Sequence, residues 1–364
     1  MTFDVDRAPE TALNRVCAYF TMFPLRVPHR ILARAEAHHR VLDPFCGRGT
    51  TNYAARLVGL YSVGVDSSPV ATAIASAKLV HATPRSVMRA YDEIVESTRS
   101  ARSPHGEFWS WAYAPKTLRV VARLRAALLA DCRSDSRVAL RAILLGALHG
   151  PTWKTPSYLS NQAPRTFAPK PNYSVSFWKK RDMRPSERDV RAVIETRANR
   201  YLGCEESDAQ GRVLLGDSRN IALGRHGKFD WIVTSPPYYG MRTYLPDQWI
   251  RHWFVGGPAH TDYSVDGQLE HRTAEVFADD LKLVWQRAAG VANPGARLVV
   301  RFGGINDRKA DPLFIIKNSL EQTDWAITTI KSAGSASSGR RQALGFAPAQ
   351  SEAKSEYDIW AVRT

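Results

Sequence analysis

The sequence predicts an α/β fold: a doubly wound, mostly parallel sheet that ends in an antiparallel hairpin and carries a long insertion. Three observations predict it. A strand–helix–strand–helix pattern fills residues 40–80. The same alternation resumes after residue 210. Between them, residues 81–210 differ in character, helical at first and then rich in proline, aromatic and basic residues. The chain has 364 residues, 44% hydrophobic and 23% charged, enough to bury a full core and far from the composition of a disordered chain.

The elements follow in order. Arg40 to Phe45 is a short apolar run ending in the Gly-rich turn Cys46-Gly47-Arg48-Gly49. A helix is expected from Thr50 to Val58, stopped by Gly59. Tyr61 to Asp66 reads as a second strand, and Pro69 opens a second helix running to Val80 with a lysine near its end. Leu118 to Leu129 and Val138 to Leu148 have helical apolar spacing, whereas the prolines of 151–184 argue against helix there. Strands return at Val213 to Asp217 and Phe229 to Val233. A helix (Ala274 to Ala289), a turn at Asn293-Pro294-Gly295 and a strand (Arg297 to Phe302) come next. Trp325 to Ile330 and Tyr357 to Val362 form the closing pair of strands around a Ser/Gly/Ala-rich loop. The expected organisation is therefore 1–80 and 211–364 as two parts of one α/β domain, with 81–210 inserted between them.

The formal charge is +15, which favours a polyanionic partner, nucleic acid first. Cys17, Cys46, Cys132 and Cys204 show no CxxC spacing and no nearby histidine at zinc-ligand distance, so neither a disulfide frame nor a metal site is expected. The adjacent His38 and His39 read as a solvated turn. No run approaches the roughly 18 apolar residues that span a bilayer, and the acidic, mixed first ten residues lack a signal-peptide core. A cytoplasmic protein without membrane contact is expected.

Two motifs carry chemistry. Asp43-Pro44-Phe45-Cys46-Gly47-Arg48-Gly49-Thr50 stands where a strand hands over to a helix, and its glycines let the backbone turn sharply and approach a ligand. Asp66 ends the next strand, 19 residues beyond Gly47, where a carboxylate accepts hydrogen bonds from ribose hydroxyls. A dinucleotide fingerprint wants a third glycine where Asn52 stands, so NAD and FAD fit less well. The second motif is Thr234-Ser235-Pro236-Pro237-Tyr238, directly after an apolar strand. Its prolines cannot join a central strand and fix a rigid loop at the carboxyl edge of the sheet, where open α/β sheets bind ligands.

Taken together, these stretches resemble the S-adenosylmethionine-dependent DNA amino-methyltransferases, in the branch that methylates cytosine N4, over about two thirds of the chain. The resemblance implies a Rossmann-like methyltransferase sheet with an inserted target-recognition region. It implies that Tyr19 and Phe20, Asp43, Phe45, Gly47, Gly49 and Thr50, Asp66, and Asp217 hold the cofactor. Ser235-Pro236-Pro237-Tyr238 matches the catalytic motif, with the leading serine typical of cytosine-N4 enzymes. Asp217 follows the insertion, whereas in the family insertions often come after that motif. An exocyclic amino nitrogen is a weak nucleophile. Ser235 Oγ and the Pro236 carbonyl would hold its hydrogens, and Tyr238 would stack on a flipped base. The resemblance further implies double-stranded DNA as partner and a restriction-modification setting; it leaves open a cognate restriction enzyme, and a monomer or a homodimer.

The insertion carries nine more basic than acidic residues, six of that excess within 151–184. Lys154, Arg165, Lys170, Lys179, Lys180 and Arg181 alternate there with Tyr158, Phe167, Tyr173, Phe177 and Trp178, a pattern suited to phosphates and to stacking. Arg242, just beyond the catalytic motif, is a further candidate phosphate contact, while Trp249 and Trp253 are expected simply to pack. The alternatives are adenine-N6 methylation in DNA and, ranked lower, guanine-N2 methylation in RNA, because the segment before the Gly loop is short for an appended RNA-binding domain. C5-cytosine chemistry is excluded, since its nucleophilic cysteine follows proline and the residues before the four cysteines are Val16, Phe45, Asp131 and Gly203.

Overall fold

The structure, a computed structural model, describes residues 5, 6, 8–19, 23–150, 158–161, 170–203, 207–240, 246–263, 268–304, 310–335 and 355–364. Its helices and strands are, in chain order, α1 (Arg26–Leu32), β1 (Arg40–Asp43), α2 (Thr50–Leu57), β2 (Tyr61–Asp66), α3 (Pro69–Ser76), α4 (Pro84–Ser97), α5 (Glu107–Ala112), α6 (Pro115–Ala130), α7 (Asp135–Ala147), α8 (Pro171–Lys180) and α9 (Val190–Tyr201). They continue with β3 (Gly211–Leu215), β4 (Phe229–Thr234), α10 (Trp249–Phe254), α11 (Ala274–Gly290), β5 (Ala292–Gly303), α12 (Pro312–Leu320), β6 (Trp325–Ser335) and β7 (Ser355–Arg363). The chain divides into two compact units. One comprises Met1–Ala18, Ser76–Glu205 and Thr243–Ser264, the other Tyr19–Ala75, Glu206–Arg242 and Val265–Thr364. None of the described helices is long and apolar enough to cross a membrane.

The second unit is the α/β fold. Its seven strands run in the order β3-β2-β1-β4-β5-β7-β6, a Rossmann-like sheet. The first five strands are mutually parallel, and β7 is antiparallel to both β5 and β6. The central parallel strands β1, β2 and β4 are short apolar runs because both their faces are covered, as Val41, Leu42, Val63 and Ile232 show by being fully buried. The chain builds outward from β1 to β2 and β3, then returns to lay β4 on the other side of β1. That reversal opens a crevice at the carboxyl ends of β1 and β4. On the far side of the sheet the core gathers Phe277, Leu281, Trp285, Leu298, Phe302 and Trp325. Its two indoles are satisfied, Trp285 by Ser319 Oγ (2.9 Å) and Trp325 by the Trp285 carbonyl (2.9 Å). Where β5 pairs with β7, Arg301 lies opposite Asp358 and donates to both its oxygens at 2.7 Å.

Two glycine positions explain how α2 packs closely, its start against α3 and its body against the sheet. Gly49 caps α2 with φ +78°, and a Cβ there would stand 2.7 Å from that of Ala75 in α3. The close helix–strand approach that a dinucleotide motif secures with its third glycine is secured from the strand instead. Gly64 on β2 makes room for the fully buried Asn52, whose amide donates to Ser62 Oγ (3.1 Å), and a Cβ on Gly64 would lie 2.5 Å from Asn52 Oδ1.

The other unit is helical, built from α4 to α10. Phe108, Trp109, Trp249 and Trp253 form an interlocked aromatic cluster in which Trp249 and Trp253 are buried, the packing role expected of them. The buried Arg251 satisfies its guanidinium on the Leu145 and Ala18 carbonyls at 3.0 and 2.6 Å.

Three sequence expectations need correction. Residues 171–180, expected to be non-helical, form α8, because Pro171 stands at the first turn, where its missing N–H costs nothing. The helix after Pro69 stops at Ser76 instead of Val80, and Lys78 is buried with its ammonium on Asn14 Oδ1 (2.7 Å). Strand β5 begins at Ala292 and carries the Asn293-Pro294-Gly295 turn as an irregularity in its pairing with β4. Helix α12, not expected from the sequence, is capped at its start by Asp311 accepting from Leu313 N–H (2.9 Å).

Candidate active site

The site residues of the α/β unit come together where the parallel strands end. Asp43 closes β1, Asp66 closes β2, Asp217 follows β3 and Ser235 follows β4. Backbone bonds lock the loops to one another. Cys46 N–H donates to the Val65 carbonyl (2.9 Å) and Gly216 N–H to the Asp66 carbonyl (3.0 Å). The buried Ser218 hydroxyl donates to the Pro44 carbonyl, tying the loop after β3 to the Gly loop.

Asp66 is the hinge of this arrangement. One carboxylate oxygen accepts from Gly47 N–H (2.9 Å), the other from Ser68 N–H (2.8 Å). A carboxylate offers about four acceptor positions, so two remain for ligand hydroxyls. Burial raises its pKa to about 6, against the lowering effect of the two N–H donors. Gly47, at φ +50°, has no atom within 4 Å of where a Cβ would stand, so the backbone there borders open space. Phe45 is half-buried and meets the Trp285 ring edge-on at 6.2 Å. Thr50, the first residue of α2, is buried. Tyr19 is half-buried, and Phe20 lies outside the described residues.

Asp43, which the resemblance assigns to the cofactor, is 3% exposed. Its Oδ1 accepts from Thr234 Oγ1 at 2.6 Å and from Phe45 N–H at 3.1 Å. Burial lifts its pKa to about 6 in spite of these donors. Asp43 thus braces the Gly loop against Thr234, which leads directly into Ser235-Pro236-Pro237-Tyr238.

Asp217 is held by Arg219, which donates to both its oxygens at 3.0 and 2.6 Å and reaches Asp280 on α11 at 2.8 Å. Burial alone would raise the Asp217 carboxyl; the hydrogen bonds and charge of Arg219 outweigh it and keep it below the usual carboxylate range. It is a fixed anion with an oriented acceptor face.

In the Ser235-Pro236-Pro237-Tyr238 stretch Ser235 and Pro237 are half-buried and Pro236 is buried. Tyr238 departs from its expected stacking role. Its ring is 5% exposed, packs edge-on against Phe302 at 5.5 Å, and its hydroxyl donates to the buried Glu356 of β7. An inward-facing partner for the hydroxyl draws the tyrosine into the core and stiffens the loop from behind. Gly240 N–H donates to His271 Nδ1 (3.0 Å), which fixes the turn after the motif. Thr234 heads the second motif in the sequence, whereas Arg219, His271 and Glu356 were not singled out there. Only Arg219, two residues after an acidic motif position, had a local signal.

In the helical unit, α8 carries the described part of the basic, aromatic stretch. Tyr173, Phe177 and Arg181 recur every four residues on one face. The two rings lie 6.5 Å apart, stacked, and the Arg181 guanidinium lies 3.9 Å over Phe177. Tyr173 is 55% exposed. Lys170 and Lys180 are exposed, and Lys179 is paired with Glu107 in an exposed ion pair of small energetic weight. Trp178, grouped with the stacking aromatics in the sequence, is fully buried, since it falls on the opposite face of the helix with Ser174 and Val175. Lys154, Arg165 and Arg242 lie outside the described residues.

The turn read as solvated brings a Glu36 oxygen and ring nitrogens of His38 and His39 within 4.8 Å of one another. Glu36 and His38 are exposed, and His39 Nδ1 already accepts from Glu36 N–H (3.1 Å) and Trp231 Nε1 (3.2 Å).

No family model and no curated protein matches the chain. Among solved structures it is similar to the rRNA methyltransferase aviRa of Streptomyces viridochromogenes, with a TM-score of 0.39, 12% identity, and 99% of this chain and 95% of that one covered. It is also similar to an rRNA methylase from Streptococcus thermophilus, with a TM-score of 0.35, 8% identity and 95% and 99% covered. A third is TrmN from Thermus thermophilus, with a TM-score of 0.34, 12% identity and 93% of this chain covered; the chain spans about half of that protein, 48% of its length.

Proposed function

We propose that the chain is an S-adenosylmethionine-dependent methyltransferase acting on an exocyclic amino group, cytosine N4 in double-stranded DNA. The observation that carries the reading is the direct brace between the two motifs, Asp43 to Thr234 at 2.6 Å, across the crevice where the strand order reverses. It sets the Gly loop and Ser235-Pro236-Pro237-Tyr238 at one strand edge.

The residues present fit the cofactor. Gly47 leaves room beside its backbone, Asp66 keeps acceptor capacity for ribose hydroxyls, and Asp217 is an oriented anion for an amino group. When bound, S-adenosylmethionine supplies an electrophilic methyl group on a sulfonium, an excellent leaving group. The chain's own part is positioning and electrostatics. Ser235 Oγ and the Pro236 carbonyl accept the hydrogens of the target amino group and favour a tetrahedral nitrogen. No strong base is required, because the methylated nitrogen is cationic and readily gives its proton to water. Glu356 holds Tyr238, and with it the backbone carrying these acceptors, in one conformation. A target base reaches the site only out of its stack, and the exposed Tyr173–Phe177–Arg181 face of α8 supplies backbone and stacking contacts. The leading serine of the motif favours cytosine over adenine.

Incubating the full chain with tritium-labelled S-adenosylmethionine and either duplex DNA or structured RNA tests this. Label enters DNA, and Ser235→Ala lowers the turnover roughly a hundredfold with little change in cofactor affinity. Label in RNA alone, or full turnover by Ser235→Ala, refutes the reading.

A further inference from the structure

The opposite, amino-terminal edge of the same strands holds a second cleft that the methyl-transfer chemistry does not use. Arg40 opens β1, Tyr61 opens β2 and Arg212 stands at the start of β3, while Arg225, His226 and Gly227 lead into β4. Together they line a cleft of about 590 Å³. The Arg40 guanidinium lies 4.2 Å over the Tyr61 ring and donates through Nη2 to the His226 carbonyl, while its buried Nε has no hydrogen-bond partner. Gly227, at φ +82°, brings the backbone against that guanidinium, where a Cβ would stand 3.5 Å from Cζ. The Arg225 Nε donates to His226 Nε2 (3.2 Å), which requires an imidazole with an open lone pair there.

Among the described residues none of the three arginines forms an ion pair, although exposed arginines elsewhere in the chain pair with neighbouring carboxylates, as Arg191 does with Asp92 and Arg272 with Glu270. Asp230 on β4 accepts from the Arg40 backbone N–H (2.8 Å) and the Asn293 amide (2.7 Å), not from a guanidinium of the cleft. Burial first, then the charges of Arg225, Arg212 and Arg40, hold the His226 imidazole below its usual range. The cleft therefore presents three guanidinium cations, that of Arg40 held by the His226 carbonyl and those of Arg212 and Arg225 exposed, beside His226, and among the described residues none of the three is paired with a carboxylate. Crowding like charges is unfavourable until an anion neutralises them. Guanidinium forks match the oxygens of a phosphate, whose greater charge suits three cations better than a carboxylate does.

We propose that this cleft is a phosphate-binding site, filled either by a phosphodiester of a nucleic-acid backbone or by a free polyphosphate anion. It is independent of the methyl-transfer reading. The test compares the wild-type chain, the double variant Arg212→Ala/Arg225→Ala and a charge-matched control, Lys317→Ala/Lys331→Ala, both of whose lysines are exposed on the same unit. Sodium pyrophosphate is titrated by calorimetry, and a fluorescent duplex is titrated across a range of salt. Thermal unfolding confirms folding without reference to methyl transfer. The expected result is that the arginine variant loses roughly tenfold or more in affinity for at least one probe, while the control stays near wild type. Loss confined to pyrophosphate assigns the site to a free anion. Loss of duplex affinity, with the salt slope lowered by about 2, assigns it to the backbone. Equal binding of both probes by the arginine variant and the control overturns the proposal, as does a wild type that binds neither probe.

Discussion

Asp66 concentrates the account at the scale of single residues. Its ordinary carboxylate value is 3.8, and burial raises it to about 6. Only the ionised form offers acceptors at every lone pair, so cofactor affinity rises as pH climbs through about 6. Asp66→Asn lowers that affinity roughly tenfold and flattens the pH profile, as read by calorimetry with S-adenosylmethionine. The same shift has the opposite sign for stability. The folded state favours the protonated acid, so Asp66, and Asp43 with it, destabilises the fold progressively as pH rises from 3.8 through about 6. Melting temperatures of Asp43→Asn measured across that range fall less steeply than those of the wild type; an identical slope contradicts the assignment. Asp66 was legible in the sequence because its partners, Gly47 and Ser68, are set by local strand–turn–helix grammar. Glu356 was not, because it meets Tyr238 across 118 residues and only the pairing of β7 beside β5 brings it there.

At the scale of elements the turn into α2 separates two uses of glycine. Gly49→Ala meets both a left-handed backbone and a 2.7 Å clash with Ala75, and costs about 2–4 kcal/mol of stability in denaturant unfolding. Gly47→Ala pays only for its backbone, about 1–2 kcal/mol. Its new methyl faces the open space, so its larger effect is on cofactor binding. Equal losses of stability would mean that Gly49 does not carry the packing. On α8, reversing Lys179, Lys180 and Arg181 to glutamate weakens duplex binding and lowers its salt slope, measured by fluorescence titration; unchanged binding moves the DNA contact elsewhere. The helix itself was hidden in the sequence by its prolines. Pro171 starts a helix as readily as it breaks one, and only the spacing of Tyr173, Phe177 and Arg181 marked a helical face.

At the scale of the whole molecule the parallel sheet was legible, since buried parallel strands are unbroken apolar runs and each crossover helix is punctuated by glycine or proline. The pairing that closes the sheet, with Arg301 opposite Asp358, and the division of the chain into two units depend on residues far apart in sequence. The charge of +15 also takes on a location. Part of it stands exposed on α8, and three arginines that form no ion pair among the described residues line one cleft at the amino edge of the sheet. The central claim is that the crevice at the carboxyl edge methylates the amino group of cytosine. Nucleoside mass spectrometry of duplex DNA incubated with the chain and S-adenosylmethionine tests it most directly. N4-methylcytosine, absent when Ser235→Ala replaces the wild type, is the result predicted; N6-methyladenine without N4-methylcytosine, or unmodified DNA beside methylated RNA, would contradict it.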